Sequence, residues 1–368
     1  MLHPLLPRDY QRARPLFGPL AAFQPFCAAV LAGLHPGRVF VDDPAQPRTG
    51  FACHDDPWCF LAGDPGNDGF VRALNRAIYA REAVPAAVPS LLFTCHPGAW
   101  TGRLGEVMAP RQPIPMIRRH YVARHLARDW RAEVPAGYRV QRLAPALLDR
   151  RGPDLPGELR ATLARWRAWD GPRFGDFGFV ALHGAEVAAW ATVDAVVEGA
   201  GDAGLFTLPA HRRRGLALVV SAAAVEYGLA HGLTAVHWTC AETNAGSIRI
   251  AEKLGFARQV DYRLYLLVFD EAEHLGTLAY HHLQAGRHRQ AVDLLEQAFA
   301  LEVGPPAWAY LDAARAWAAL DRPEEALARL ATAVDWGCSD LDGVPEFERL
   351  RHRPEWAELL ARAQRSRT

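Results

Sequence analysis

Lysine is almost absent. Of the 41 basic residues in this 368-residue chain only Lys253 is a lysine, and the rest are arginine. The 41 acidic residues cancel that charge. A neutral chain has no bulk field with which to capture nucleic acid or an anionic membrane, so neither partner is expected. Long apolar runs are missing too. The longest, Leu216 to Val225, is broken by Ser221 and falls well short of the ~18 residues that read as a membrane span. The first twenty residues mix His3, Arg8, Asp9, Arg12 and Arg14 with four prolines, which leaves no apolar core for a secretion signal. The six cysteines never take C-x-x-C spacing, so neither a zinc knuckle nor a redox pair is signalled and no metal is expected. The reading is a cytoplasmic protein with reduced thiols.

What is present suits a soluble globular chain: half the residues are hydrophobic and 22% are charged, enough apolar material for two or three domains. Three regions separate. In residues 1–130, short strand-like runs at 38–42, 50–53 and 58–62 are split by turns such as Asp43-Pro44 and Gly63-Asp64-Pro65-Gly66-Asn67. A helix at 67–81 and a buried strand at 90–95 follow. The basic run 117–128 holds four arginines and no acid and reads as a solvated linker helix. Residues 131–270 give a mixed α/β order: a strand at 138–143, a helix at 156–169, a hairpin from 177–182 into 186–193, and a strand at 203–208. A long helix at 214–231, a strand at 235–239, a helix at 244–254 and a β pair within 256–269 complete it. Residues 271–368 are helical and repeat: Gly286, Ala291, Leu295 and Ala298 recur as Asp321, Ala326, Leu330 and Ala333. That period is close to the ~34 of tetratricopeptide units, so this region resembles them and offers a platform for a protein partner.

The chemistry concentrates after residue 205. A strand ends at Pro209, the chain turns through Arg212, Arg213, Arg214 and Gly215, and a helix starts at once. Amides in such a turn converge at the positive end of the helix dipole and can hold phosphate, and the arginines add charge-assisted bonds. Arg212-x-x-Gly215-x-Ala217, followed about thirty residues on by Asn244-x-x-Ser247 and Lys253-Leu254-Gly255-Phe256, resembles the GNAT superfamily of acyl-CoA N-acyltransferases. Residues 1–130 resemble the amino-terminal half of a bacterial GNAT family that carries two such domains, here a degenerate copy without the motif.

The resemblance implies a mixed sheet flanked by helices (α/β in the broad α+β sense) and direct transfer of an acetyl group from acetyl-CoA to an amine. Phe206, Thr207 and Leu208, on a bulged strand, would pair with the pantetheine arm. Arg212, Arg213, Arg214, Gly215, Leu216 and Ala217 would hold the pyrophosphate, and Asn244 and Ser247 would line the pantetheine side. The tyrosine that many members place seven residues after the asparagine is here Ala251, so the acid stays unassigned among Tyr262, Tyr265, Ser247 and water. Candidate bases are Glu242 and Asp194. Cys240 reads as a structural thiol, and His237 and Trp238 as packed residues. The alternative from another class is a non-catalytic CoA sensor or scaffold that binds a partner through its helical repeats. The acceptor itself is not legible.

Overall fold

The computed structural model describes residues 1–126, 128–143, 155–168, 175–338, 341 and 343–365. Ala127 of the basic run and Trp169, the expected end of a helix, lie outside them. The described residues divide into two units, Met1–Leu266 and Leu267–Thr368.

The first unit is built on one twelve-stranded sheet. Alternating and fully apolar runs become β1 (His3–Pro4), β2 (Gly37–Val41), β3 (Thr49–His54), β4 (Trp58–Gly63), β5 (Ser90–His96), β6 (Ile114–Ala123) and β7 (Tyr138–Arg142). The later strands are β8 (Phe177–His183), β9 (Glu186–Val197), β10 (Ala200–Thr207), β11 (Ala235–Ala241) and β12 (Ala257–Val268). Their order across the sheet is β1-β2-β3-β4-β5-β12-β6-β11-β10-β9-β8-β7. Helices α1 (Arg14–Ala21), α2 (Pro25–Leu31), α3 (Asp68–Tyr79), α4 (Leu104–Met108), α5 (Gly157–Ala168), α6 (Leu216–Ala230) and α7 (Ala245–Lys253) flank it. This is the mixed sheet with flanking helices that the motifs implied.

Two expectations about local structure need correcting, and one cause explains both. The basic run expected to be a linker helix is for the most part strand β6. It lies between β12 and β11, antiparallel to each. The β pair expected within 256–269 is a single strand, β12, which lies between β5 and β6. Arg118 and His120 alternate with Arg119 and Tyr121, so β6 presents polar groups to one face and Tyr121 to the apolar core. A strand that lines a polar site loses the hydrophobic alternation by which strands are recognised.

The helix α6 is apolar around most of its circumference because it packs into the largest core of this unit, with Val219, Val220, Ala223 and Val225 against Val193, Val236 and Trp238. The opposite face of β9 near its end is covered by α2, where Ala29 and Val30 share a cluster with Ala195 and Val197.

The second unit holds α8 (Glu271–Gln284), α9 (His288–Phe299), α10 (Ala307–Ala319), α11 (Pro323–Asp335) and α12 (Pro354–Arg365). The repeated small and large residues are its core: Ala291, Leu295, Ala326 and Leu330 are fully buried. Gly286 and Asp321, the equivalent turn residues, both take positive φ, +71° and +59°. Among the described residues no helix is long and apolar enough to cross a membrane.

Candidate active site

The site forms where two neighbouring strands part. β10 runs parallel to β11 only through Ala200, Gly201, Asp202 and Ala203, which face Ala235, Val236, His237 and Trp238. Beyond those pairs β10 keeps its partner β9, from Gly204 opposite Thr192 to Thr207 opposite Ala189. Meanwhile β11 keeps β6, from Thr239 opposite His120 to Ala241 opposite Arg118. A wedge therefore opens between β10 and β11, and the inner backbone edge of Gly204–Thr207 is left without a strand partner. Phe206, Thr207 and Leu208 line this edge or its end. The expected bulge beside them lies elsewhere: two residues of β9, Ala195 and Val196, oppose the single Gly201. Ala195 adopts φ +54° there, and the bulge twists β9 beside Asp194.

The wedge leads to the arginine loop. Arg213 has φ +63°, and Gly215, the N-cap of α6, has φ +82°. Two left-handed residues this close fold the amides inward into a nest at the helix N-terminus. Among the described residues, no backbone carbonyl accepts from the amides of Arg213, Arg214, Gly215, Leu216 or Ala217. Arg212 donates from Nε to the Thr207 carbonyl at 3.2 Å, tying the loop to the end of β10. Arg213, Arg214 and Gly215 are exposed, and a Cβ built on Gly215 would meet nothing within 4 Å. Glycine is required there by its φ rather than by crowding.

Across the wedge, Asn244 caps α7, its Oδ1 accepting the Ser247 amide at 3.0 Å. The Ser247 hydroxyl accepts from Trp238 Nε1 at 3.0 Å. Trp238 is thus a packed wall residue that anchors α7. Ala251 is fully buried in the core. Burial raises the Cys240 thiol, which suits a structural role. Tyr265 points its hydroxyl to Thr101 at 3.1 Å, away from the Arg118 face.

Carboxylates stand at the apex of the wedge. Asp194 on β9 is the cross-strand partner of Asp202 on β10, and Asp202 pairs in register with His237 on β11. Asp194 accepts hydrogen bonds from Thr192 Oγ1 at 2.6 Å and Trp166 Nε1 at 3.2 Å. Burial, then the charge of Asp176, pushes its pKa up to about 7. Asp202 is pushed up to about 7 by burial and by Asp194, against the pull of Arg118. Both nevertheless keep part of their surface open. The charge of Asp176 acts on Asp194 and that of Asp194 on Asp202, so both desolvated carboxylates hold their protons more tightly than solvated ones. Sequence reasoning found Asp194 but missed Asp202. Part of the signal was there: Glu198 and Gly199, both at positive φ, form a two-residue hairpin turn, and the bulge at Ala195 and Val196 then shifts the register by one to set Asp202 opposite Asp194. Glu242, the other expected base, is exposed beyond the end of β11.

Behind Asp194 a directed chain of hydrogen bonds joins the two halves of the sheet. The Asp56 amide donates to His54 Nδ1 at 2.9 Å. His54 Nε2 then donates to His35 Nδ1 at 3.1 Å, and His35 Nε2 to Asp176 Oδ1 at 3.2 Å. The first backbone N–H fixes both neutral tautomers. Burial holds the His54 pKa well below the ordinary histidine value.

Comparison with known proteins follows this geometry. The model of a family described as GNAT acetyltransferase matches residues 20–265. An uncharacterized N-acetyltransferase of Bacillus subtilis, YdfB, is 24% identical over 243 residues, covering 65% of this chain and 89% of its own length. A solved GCN5-related N-acetyltransferase-like protein from Streptococcus suis superposes with a TM-score of 0.52 at 19% identity, over 70% of this chain and 98% of that one.

Proposed function

The chain belongs to the GNAT acetyltransferase family, and on that premise we propose that it moves an acetyl group from acetyl-CoA directly to an amine, with Asp202 and Asp194 as the base. The observation that carries this reading is the parting of β10 from β11 beside five amides without a backbone acceptor. The residues suit the co-substrate: the amides of 213–217 and the side chains of Arg213 and Arg214 would hold the diphosphate. The open edge of Gly204–Thr207 would pair with the pantetheine amides, beside Asn244 and Ser247 on the other wall. When bound, acetyl-CoA supplies the activated acyl group.

The protein's own tasks are then few. The Asp194–Asp202 pair takes the proton of the incoming ammonium, a role for which a pKa near the working pH is best. An N–H on the open edge of β10 can steady negative charge on the reacting carbonyl oxygen. A thiol is acidic enough, at about pKa 8.5, to leave as the thiolate without an acid. Burial of Ala251 where many relatives carry tyrosine is compatible with that.

In this reading the amino-terminal half is a degenerate copy that shapes the acceptor side. The matching positive-φ turns at Gly286 and Asp321 support a tetratricopeptide-like second unit. The test is calorimetric: Arg212→Ala combined with Gly215→Val abolishes CoA binding, and unchanged affinity would mean that the loop is misassigned. Thiol release from acetyl-CoA over a panel of amines separates catalysis from the sensor alternative. Tight CoA binding with no turnover on any amine favours the sensor.

A further inference from the structure

On the face of the sheet that carries Asp202, five elements bring polar groups together and leave several unanswered. Arg118 of β6 rests its Nη2 on the carbonyl and hydroxyl oxygens of Thr239, at 2.9 and 3.0 Å. Its guanidinium lies 5.6 Å from the ring centre of Trp58. Its Nε is buried without a hydrogen-bond partner, and among the described residues no carboxylate comes within ion-pair distance of it. Tyr262 of β12 is the register partner of Arg118. Its hydroxyl lies beside the Gln24 side chain and Thr239, yet neither it nor the Nε2 of Gln24, which is 3% exposed, makes a well-formed hydrogen bond. Asp202 Oδ1 is likewise buried and unanswered. Phe23 packs edge-on against Tyr262 at 5.2 Å and completes the wall.

Buried polar atoms rarely stay unpaired, so this set describes a ligand by its complement. One side of the cluster offers a forked guanidinium with two neutral groups beside it, the other a carboxylate. We propose that the acceptor is an amino-acid-like zwitterion: Arg118, Tyr262 and Gln24 take its carboxylate while Asp202 receives its amine. The inference rests on the transfer reading above and names its substrate class.

Charge accounting favours a monoanionic group. Among the described residues Arg118 has no acidic partner, whereas Arg165 is paired with Asp56 at 3.5 Å. The neighbouring His120 is kept neutral, its pKa lowered to about 4 by burial and by His237. A dianionic phosphate would lack a second cation, whereas a carboxylate matches the planar fork of arginine. A site built around such groups discriminates sharply, because an analogue without the carboxylate leaves the buried donors unpaired.

The experiment uses the full chain with acetyl-CoA. Thiol release is measured for the common L-amino acids, β-alanine and 4-aminobutyrate, each beside its carboxamide and its decarboxylated amine. At least one acid is expected to exceed its carboxamide at least tenfold in kcat/KM. Arg118→Gln should collapse that ratio towards one through KM, and Tyr262→Phe, which removes only the hydroxyl, should lower it in the same direction. Carboxamides or simple amines used as well as the acids would overturn the inference and leave the transfer reading standing. Should no acceptor release thiol, calorimetry on the CoA-saturated protein decides. Amino-acid binding that Arg118→Gln removes keeps the inference and sinks the transfer reading, and absence of amino-acid binding sinks the inference.

Discussion

In the amino-terminal half of the sheet β4 feeds α3 and returns as β5. In the carboxy-terminal half β10 feeds α6 and returns as β11. Both returns are parallel, yet the two crossovers end in opposite states. β4 and β5 stay paired from Trp58 opposite Leu92 to Ala62 opposite His96, whereas β10 and β11 part after Ala203 and Trp238. The first turn answers its own amides. Asp64 donates its amide to the Arg48 carbonyl, the Asp64 side chain accepts from Gly66 at 2.8 Å, and Asn67 accepts from Phe70 at 3.0 Å. Arg103 and Trp100 then close over the carbonyls of Pro65 and Gly63. The second turn swaps those acids for arginines and leaves its amides open. One supersecondary unit becomes a structural joint or, on the proposed reading, an anion cradle according to which side chains its turn carries.

If that contrast is functional, the largest effect should come from the apex of the open crossover. Asp202→Asn is expected to lower kcat by about 10²–10⁴-fold. In the native protein kcat/KM is expected to rise with pH through about 7, where Asp202 would ionise, and the variant should lose that limb. Stability gives an independent reading. Burial raises the folded pKa of Asp202 above its unfolded value, so the folded state holds the proton more tightly. Its contribution is complete below about pH 4 and is lost as pH rises through about 7. Asparagine mimics the protonated form, so the melting temperature of Asp202→Asn relative to native should climb between pH 5 and pH 8. Parallel melting curves would show that Asp202 is solvated after all.

The turn and its helix were legible because they are local: an arginine–glycine turn, a long apolar helix and an asparagine cap announce themselves within a few residues. The wedge was not legible, since it depends on where β10 and β11 part while each keeps its outer partner, β9 and β6, a long-range register. Asp202 was lost for a related reason. Ala200-Gly201-Asp202-Ala203-Gly204 has little apolar period, and counting across the Glu198-Gly199 turn sets Asp202 opposite Ala195, until the bulge in β9 moves it to Asp194. The strand β6 was misjudged because Arg118, Arg119 and His120 look solvated in sequence, while in the fold they line a polar interior or the rim of the sheet.

A matched glycine pair sharpens the comparison at intermediate size. Gly63 has φ +83°, and a Cβ there would sit 2.0 Å from the Arg48 carbonyl oxygen. Gly63→Ala should therefore cost about 3 kcal/mol, as overpacking against backbone does, in addition to its left-handed strain. Gly215 has the same handedness but open space around it, so Gly215→Ala should cost only about 1 kcal/mol. Ligand affinity should reverse the order, with folded Gly63→Ala binding CoA normally and Gly215→Ala binding it more weakly. Denaturant melts with calorimetry on the same samples read both, and equal stability costs would contradict the closed-against-open distinction.

The smallest expected difference lies between two helix caps, one in each half. Asn67 Oδ1 accepts the Phe70 amide at the start of α3, and Asn244 Oδ1 accepts the Ser247 amide at the start of α7, both at 3.0 Å. Asn244→Ala should cost about 1 kcal/mol, because it leaves one helix-terminal donor unanswered, and Asn67→Ala should cost more, because Asn67 Nδ2 also donates to Asp42 Oδ2 at 3.1 Å. CoA affinity should reverse that order: Asn67 sits in the closed turn, and its loss should leave binding within error of native. Asn244 fixes Ser247 and through it Trp238, the wall of the wedge, so Asn244→Ala should weaken CoA binding several-fold for the smaller loss of stability. Equal affinities in the two variants would reduce Asn244 to a cap and remove α7 from the site.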